Sequence, residues 1–211
     1  MYNEYKIARD LAWKTLIECN IGELPIKLSI IAKYYNIQVL SYKNSNINIA
    51  NNDDGYSLKL NDKFIIYYNE QKPPQRIRFT LAHELGHCLL GHIKDNEITY
   101  RYNSESDSIK DLKEIQANVF ARDILMPATV LHSLNVKSAD DISNICDVSI
   151  QSAEIRFNRL LELNKRGMYN KHPFEKQVYN NFNTYIKRVQ ALEQLTLKSQ
   201  KRRYLWKIIL Q

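Results

Sequence analysis

His83-Glu84-Leu85-Gly86-His87 sets two imidazoles and a carboxylate at fixed spacing in the middle of the chain. On an α-helix, residues four apart lie about one turn apart on nearly the same face. His83 and His87 can therefore each point a ring nitrogen at one metal ion. Glu84 sits about 100° round from His83, beside that ion, where its carboxylate can take a proton from an attacking water. A catalytic zinc needs three protein ligands and one open position. The residue types at this spacing point to metal-assisted hydrolysis. The competing reading is a pair of solvated or internally satisfied histidines on an ordinary helix turn.

The flanking sequence bears on that choice. Ile77, Phe79, Leu81, Ala82, Leu85 and Leu89 supply an apolar helical surface, Pro73-Pro74 marks a start, and Gly91 is placed to end the helix. On a buried helix, two histidines and a glutamate need partners, because unpaired polar groups are costly there.

A third ligand must come from elsewhere. His92 is five residues beyond His87, about 140° round a continuous helix, and so off the metal face. The extended three-histidine pattern would need glycine and histidine where Leu90 and Ile93 stand. His92 reads as a helix-end residue, although a turn at Gly91 can bring it near the site. Downstream acids are Glu97, Glu105, Asp107, Asp111 and Glu114. The others fall in a polar stretch, Lys94 to Lys113, that reads as a loop. Glu114 opens a periodic helix, Glu114-Ile115-Gln116-Ala117-Asn118-Val119-Phe120-Ala121, with Asn118 one turn on. Glu114 is either a metal carboxylate or a helix-start residue favoured by the dipole. Asn118 offers an amide that can hold a ligand histidine by its other ring nitrogen.

Arg78-Phe79-Thr80-Leu81-Ala82-His83-Glu84-Leu85-Gly86-His87, Leu90-Gly91-His92, the Glu114–Ala121 run and Leu125-Met126-Pro127 together resemble the ImmA/IrrE family of zinc metallopeptidases. The likeness covers roughly the first 165 residues. It implies a zincin-like domain with one zinc ion held by His83, His87 and Glu114, and Glu84 as general base. It also implies a helix-turn-helix repressor as substrate, encoded by a mobile genetic element. Asn118 stands where many relatives are expected to carry an acid, so it would orient a histidine without a negative charge.

Charge is unevenly distributed. The chain carries +7 overall, yet residues 165–211 hold eleven Lys and Arg against two acids, leaving residues 1–164 at −2. No run of about 18 apolar residues marks a membrane span, and the first residues lack the apolar core of a secretory signal. Cys19, Cys88 and Cys146 are odd in number and widely spaced, as for reduced packing residues. These features point to the cytoplasm and away from a membrane partner.

The fold class expected is α+β and mainly helical. Residues 4–19 read as an amphipathic helix with Ile7, Leu11 and Leu16 on one side. A second helix runs through Leu28, Ile31 and Tyr34, and Ile37–Tyr42 has strand composition. Asn44 to Asp54 reads as a flexible loop. Tyr56–Leu60 and Phe64–Tyr68 flank Asn61-Asp62 as a hairpin. An edge of this sheet could bind an extended peptide, or the sheet could be scaffold. Three segments are expected: 1–128, the metallopeptidase domain; 129–165, helix-turn-helix-like; and 166–211, a basic helical extension. In the second segment Ser149 can cap a helix carrying Gln151, Ser152, Glu154 and Arg156. Such residues can read bases, but helix pairs of this kind are also packing units or protein-docking elements. In the third, Phe174, Val178, Phe182, Tyr185 and Val189 form an apolar stripe, and Lys198–Lys207 mixes cations with aromatics. Nucleic acid is thus a candidate partner through residues 139–163 and the basic tail.

The leading expectation is a zinc endopeptidase. The alternative is a DNA-binding or sensor protein that keeps a zinc site without proteolysis, a reading that gives Glu84 nothing to do.

Overall fold

A computed structural model describes residues 2–44, 54–93, 98–100 and 112–209. Eight α-helices, one short 3-10 helix (Tyr42–Asn44) and four strands are found among them. Helix α3, Pro74–Leu89, is the centre of the arrangement. Pro73 precedes it and Pro74 occupies its first turn, where a missing N–H costs nothing. Residues 80, 82–88 are all buried, so this helix is covered on nearly every side at the motif.

One side of α3 meets a sheet. Strands β1 (Gln38–Ser41), β2 (Gly55–Leu60), β3 (Lys63–Tyr68) and β4 (Ile98–Tyr100) lie in the order β1-β3-β2-β4. β2 and β3 form an antiparallel hairpin turned by Asn61 and Asp62, both with positive φ, as a tight two-residue loop requires. β1 runs parallel to β3, and β4 antiparallel to β2. Gly55 has a structural reason: a Cβ there would stand 2.7 Å from both Thr80 Cγ2 on α3 and the Tyr67 carbonyl oxygen. The Lys94–Lys113 stretch expected as loop therefore contains a strand. Ile98-Thr99-Tyr100 is too short for its alternation to stand out from polar surroundings, and it is fixed by pairing with β2. Most of the expected Asn44–Asp54 loop, residues 45–53, lies outside the described residues.

The other side of α3 meets α4, Leu112–Leu125, which in turn packs on α1, Tyr2–Glu18. The expected α1 stripe is corrected here. Ile7 is 53% exposed, while Ala8, Ala12, Thr15 and Leu16 are fully buried. Alanines let the two helices approach closely, and Ile7 is left on the outer edge. α2 (Leu28–Tyr34) packs on α3 and leads into β1.

The remaining helices extend the same core. α5 (Ala128–Ser133), α6 (Ala139–Cys146), α7 (Ile150–Arg166) and α8 (Pro173–Ile209) follow in order. Ser138 and Asp141 form a reciprocal capping box at α6, and Ser149 accepts from the Ser152 N–H at the start of α7. α8 buries Val178, Phe182 and Ile186 in the cluster that also includes Leu16, Leu85 and Phe120. Among the described residues, no helix is long and apolar enough to cross a membrane.

Candidate metal centre

Two helices meet closely enough to share ligands because Gly86 has no side chain. A Cβ at position 86 would lie 3.1 Å from Phe120 Cδ1, 3.2 Å from Ala117 Cα and 3.3 Å from the Ala117 carbonyl oxygen. This approach sets the first turn of α4 against the histidines of α3. His83 Nε2 and His87 Nε2 are 2.9 Å apart, and Glu114 reaches them at 3.2 and 3.1 Å. Among the described residues, these three form the one group able to offer ligand atoms to a common ion. Of the other acids weighed, Glu97, Glu105, Asp107 and Asp111 lie outside the described residues.

The donor set fits a divalent metal. Two atoms each about 2.1 Å from a tetrahedral zinc are about 3.4 Å apart, and the three separations here fall within about half an ångström of that. Two buried imidazoles and a carboxylate are also the donor types that zinc takes. His83 is wholly buried and His87 is 2% exposed, while Glu114 is 41% exposed at the rim. Burial opposes ionisation of Glu114, but the two imidazoles that face it outweigh this and hold the carboxyl well below its usual range.

Each imidazole is gripped from behind. Asn118 Oδ1 lies 3.0 Å from His83 Nδ1. On the far side of His87, His92 Nδ1 lies 3.1 Å from His87 Nδ1, and Gln116 Oε1 lies 3.0 Å from His92 Nε2. Burial, with His87 alongside, pushes the His92 imidazole down to about 4. His92 thus stays outside the ligand group, yet it touches a member of it. The helical register that excludes it as a ligand holds only while the helix continues. At Gly91, with φ of 71°, the chain turns back.

Glu84 is 1% exposed and accepts a 2.6 Å hydrogen bond from Ser57 Oγ on β2. Sequence reasoning missed Ser57. Strand alternation groups Gly55, Ser57 and Lys59 on one face, but nothing in the sequence says that this face meets α3. Thiol chemistry is disfavoured throughout. Cys19, Cys88 and Cys146 are free and buried, and burial pushes Cys19 up to about 11 and Cys146 up to about 12. Burial and the charge of Glu84 drive Cys88 higher still.

The helix-turn-helix-like pair shows one departure from what its sequence suggests. Gln151 and Glu154 are exposed on α7, but Arg156 is 1% exposed and faces inward. It donates to the Met126 carbonyl oxygen at 2.7 Å and to Asp123 at 2.8 Å. Asp123 also pairs with Arg122 at 2.7 Å. Arg156 fastens α7 to the end of α4 and is not available to a base edge. Side chains of 200–209, which include most of the basic tail, lie outside the described residues.

Residues 32–158 match the family described as the IrrE N-terminal-like domain, a peptidase family. The radiation response metalloprotease IrrE of Deinococcus deserti is 34% identical over 95 residues. That alignment takes in 42% of this chain and 34% of the relative, so the chain matches about a third of the relative's length.

Proposed function

The chain belongs to the IrrE N-terminal-like domain family, and from that premise we propose that it is a zinc-dependent endopeptidase. Its substrate in this reading is a helix-turn-helix transcriptional repressor of a mobile genetic element, cleaved in the cytoplasm. The observation that carries the proposal is a buried Glu84 carboxylate, tied to Ser57, next in the chain to a histidine whose Nε2 converges with His87 and Glu114.

His83, His87 and Glu114 would hold the zinc. Bound zinc supplies Lewis acidity, polarising the scissile carbonyl and easing ionisation of the attacking water. Glu84 accepts the proton of that water as its oxygen bonds to the carbonyl carbon. As the carbon–nitrogen bond breaks, Glu84 delivers the proton to the departing amine. Ser57 holds Oε2 of Glu84, leaving Oε1 to carry the proton. The hydrogen bond keeps the carboxylate in one orientation through both transfers.

The test is incubation of the zinc-loaded chain with candidate repressors, followed by mapping of the product ends. Wild type should cut at one position. Glu84→Gln should keep its zinc and lose cleavage, and undiminished cleavage by that variant would overturn the mechanism. Glu114→Ala should lose zinc, and unchanged zinc stoichiometry would overturn the ligand assignment. A DNA-binding or sensor protein with a purely structural zinc would yield no products from any repressor tried.

A further inference from the structure

The hydrogen bonds behind His87 specify which of its nitrogens carries a proton. Leu90 caps α3, and the chain closes with the His92 N–H donating to the His87 carbonyl oxygen at 3.1 Å and the Gly91 N–H to Cys88 at 3.4 Å. This is the pairing of a Schellman ending with glycine in the left-handed position. A side-chain contact between the residues joined by its long bond often accompanies this ending. Here that contact is between two imidazoles, with ring centroids 5.1 Å apart and an edge-on orientation. The helix terminus thus delivers His92 to His87 by main chain and side chain together.

Proton positions follow from the far end of the chain of contacts. The Gln116 oxygen only accepts, so the His92 nitrogen facing it, Nε2, is the protonated one. A neutral imidazole has one donor and one acceptor. His92 Nδ1 is therefore a lone pair, and the proton shared between the two Nδ1 atoms belongs to His87. This leaves His87 Nε2 unprotonated, and Nε2 is the atom that faces His83 and Glu114. Turning the Gln116 amide over would reverse each step and place a proton on His87 Nε2, blocking it as a ligand. On the other side, Asn118 Oδ1 gives His83 the same arrangement in a single step.

We propose that Gln116 and His92 are positioning residues that lock His87 in the Nδ1–H tautomer, so that its Nε2 is presented to the metal. The proposal rests on His83, His87 and Glu114 being the metal ligands. Two readouts test it without peptidase activity. Long-range proton–nitrogen spectra of the zinc-loaded full chain, which has five histidines, should show His92 as the neutral Nε2–H form and His87 as Nδ1–H. Finding His92 as Nδ1–H would overturn the relay in the intact protein. Gln116→Leu removes the terminal acceptor and should weaken zinc binding about 10- to 100-fold, measured by competition with a chromophoric chelator. Gln116→Glu, which keeps an acceptor, should restore binding. Equal affinity in wild type and Gln116→Leu would reject the relay while the metal reading stands. A wild type that binds no zinc would reject the metal reading itself and the relay with it.

Discussion

Gly86→Ala should loosen the proposed metal centre without altering any ligand. Carbon atoms settle about 3.5–4.0 Å apart, whereas the added Cβ would meet Phe120 at 3.1 Å and the Ala117 main chain at 3.2 and 3.3 Å. Phe120 is fully buried and Ala117 offers backbone, so α3 and α4 must part by a few tenths of an ångström. In an unhindered helix, Gly→Ala stabilises by about 1 kcal/mol. Overpacking costs about 1–3 kcal/mol. Because the obstacles are main chain and a buried ring, overpacking should win, with a net loss of about 1 kcal/mol and a fall in Tm of about 2–4 °C. The same displacement would draw Glu114 away from His83 and His87, and ligand distances in a metal site hold to about 0.2 Å. Zinc Kd should rise about tenfold, equivalent to about 1.4 kcal/mol. Calorimetry of the metal-free protein and chelator competition read the two effects separately. An unchanged or raised Tm with an unchanged Kd would refute the claim that Gly86 is required for helix contact.

Three further outcomes follow from other contacts. Ser57→Ala should slow peptide cleavage about tenfold, the loss expected when a carboxylate loses a hydrogen bond of about 1.5 kcal/mol, while zinc content stays constant. Equal rates would separate Ser57 from the base. Arg156→Met should destabilise the fold by about 3 kcal/mol in urea, since it strands part of a buried charge network; a change below about 0.5 kcal/mol, the usual size for an unremarkable surface site, would contradict its role as a fastening. For Asp123, burial opposes ionisation, but Arg122 and Arg156 outweigh it and keep the carboxyl below its usual range. The unfolded chain takes up this proton first, near pH 4. The stability Asp123 contributes is therefore complete above that pH and is lost as pH falls through the lower folded value. The Tm gap between wild type and Asp123→Asn should shrink in acid, and a gap that stays constant would exclude this account.

Legibility in the sequence divides by the range of the interaction. The convergence of His83 and His87 follows from a 3.6-residue repeat, and the β2–β3 turn from Asn61-Asp62, because both are local. Glu114 has a recognisable helix around it, but its distance from the histidines is set by packing at Gly86, which no repeat encodes. β4 escaped because three residues give too short an alternation to detect. Ser57 escaped because a strand's inner face is defined only by what covers it. Arg156 sits among Gln151, Ser152 and Glu154, where a cation suggests a nucleic-acid contact. Its actual partner, Asp123, is 33 residues away in the chain. His92 reads from the sequence as a helix-end residue that a turn at Gly91 can bring near the site, and that turn sets it against His87.

The unequal cover over the three proposed ligands has a chemical consequence. Both imidazoles are sealed in, while the carboxylate on the first turn of α4 meets solvent. A carbodiimide should therefore modify Glu114 under conditions in which diethyl pyrocarbonate leaves His83 and His87 intact. Metal exchange would likewise begin at the carboxylate, with the two histidines surrendering last.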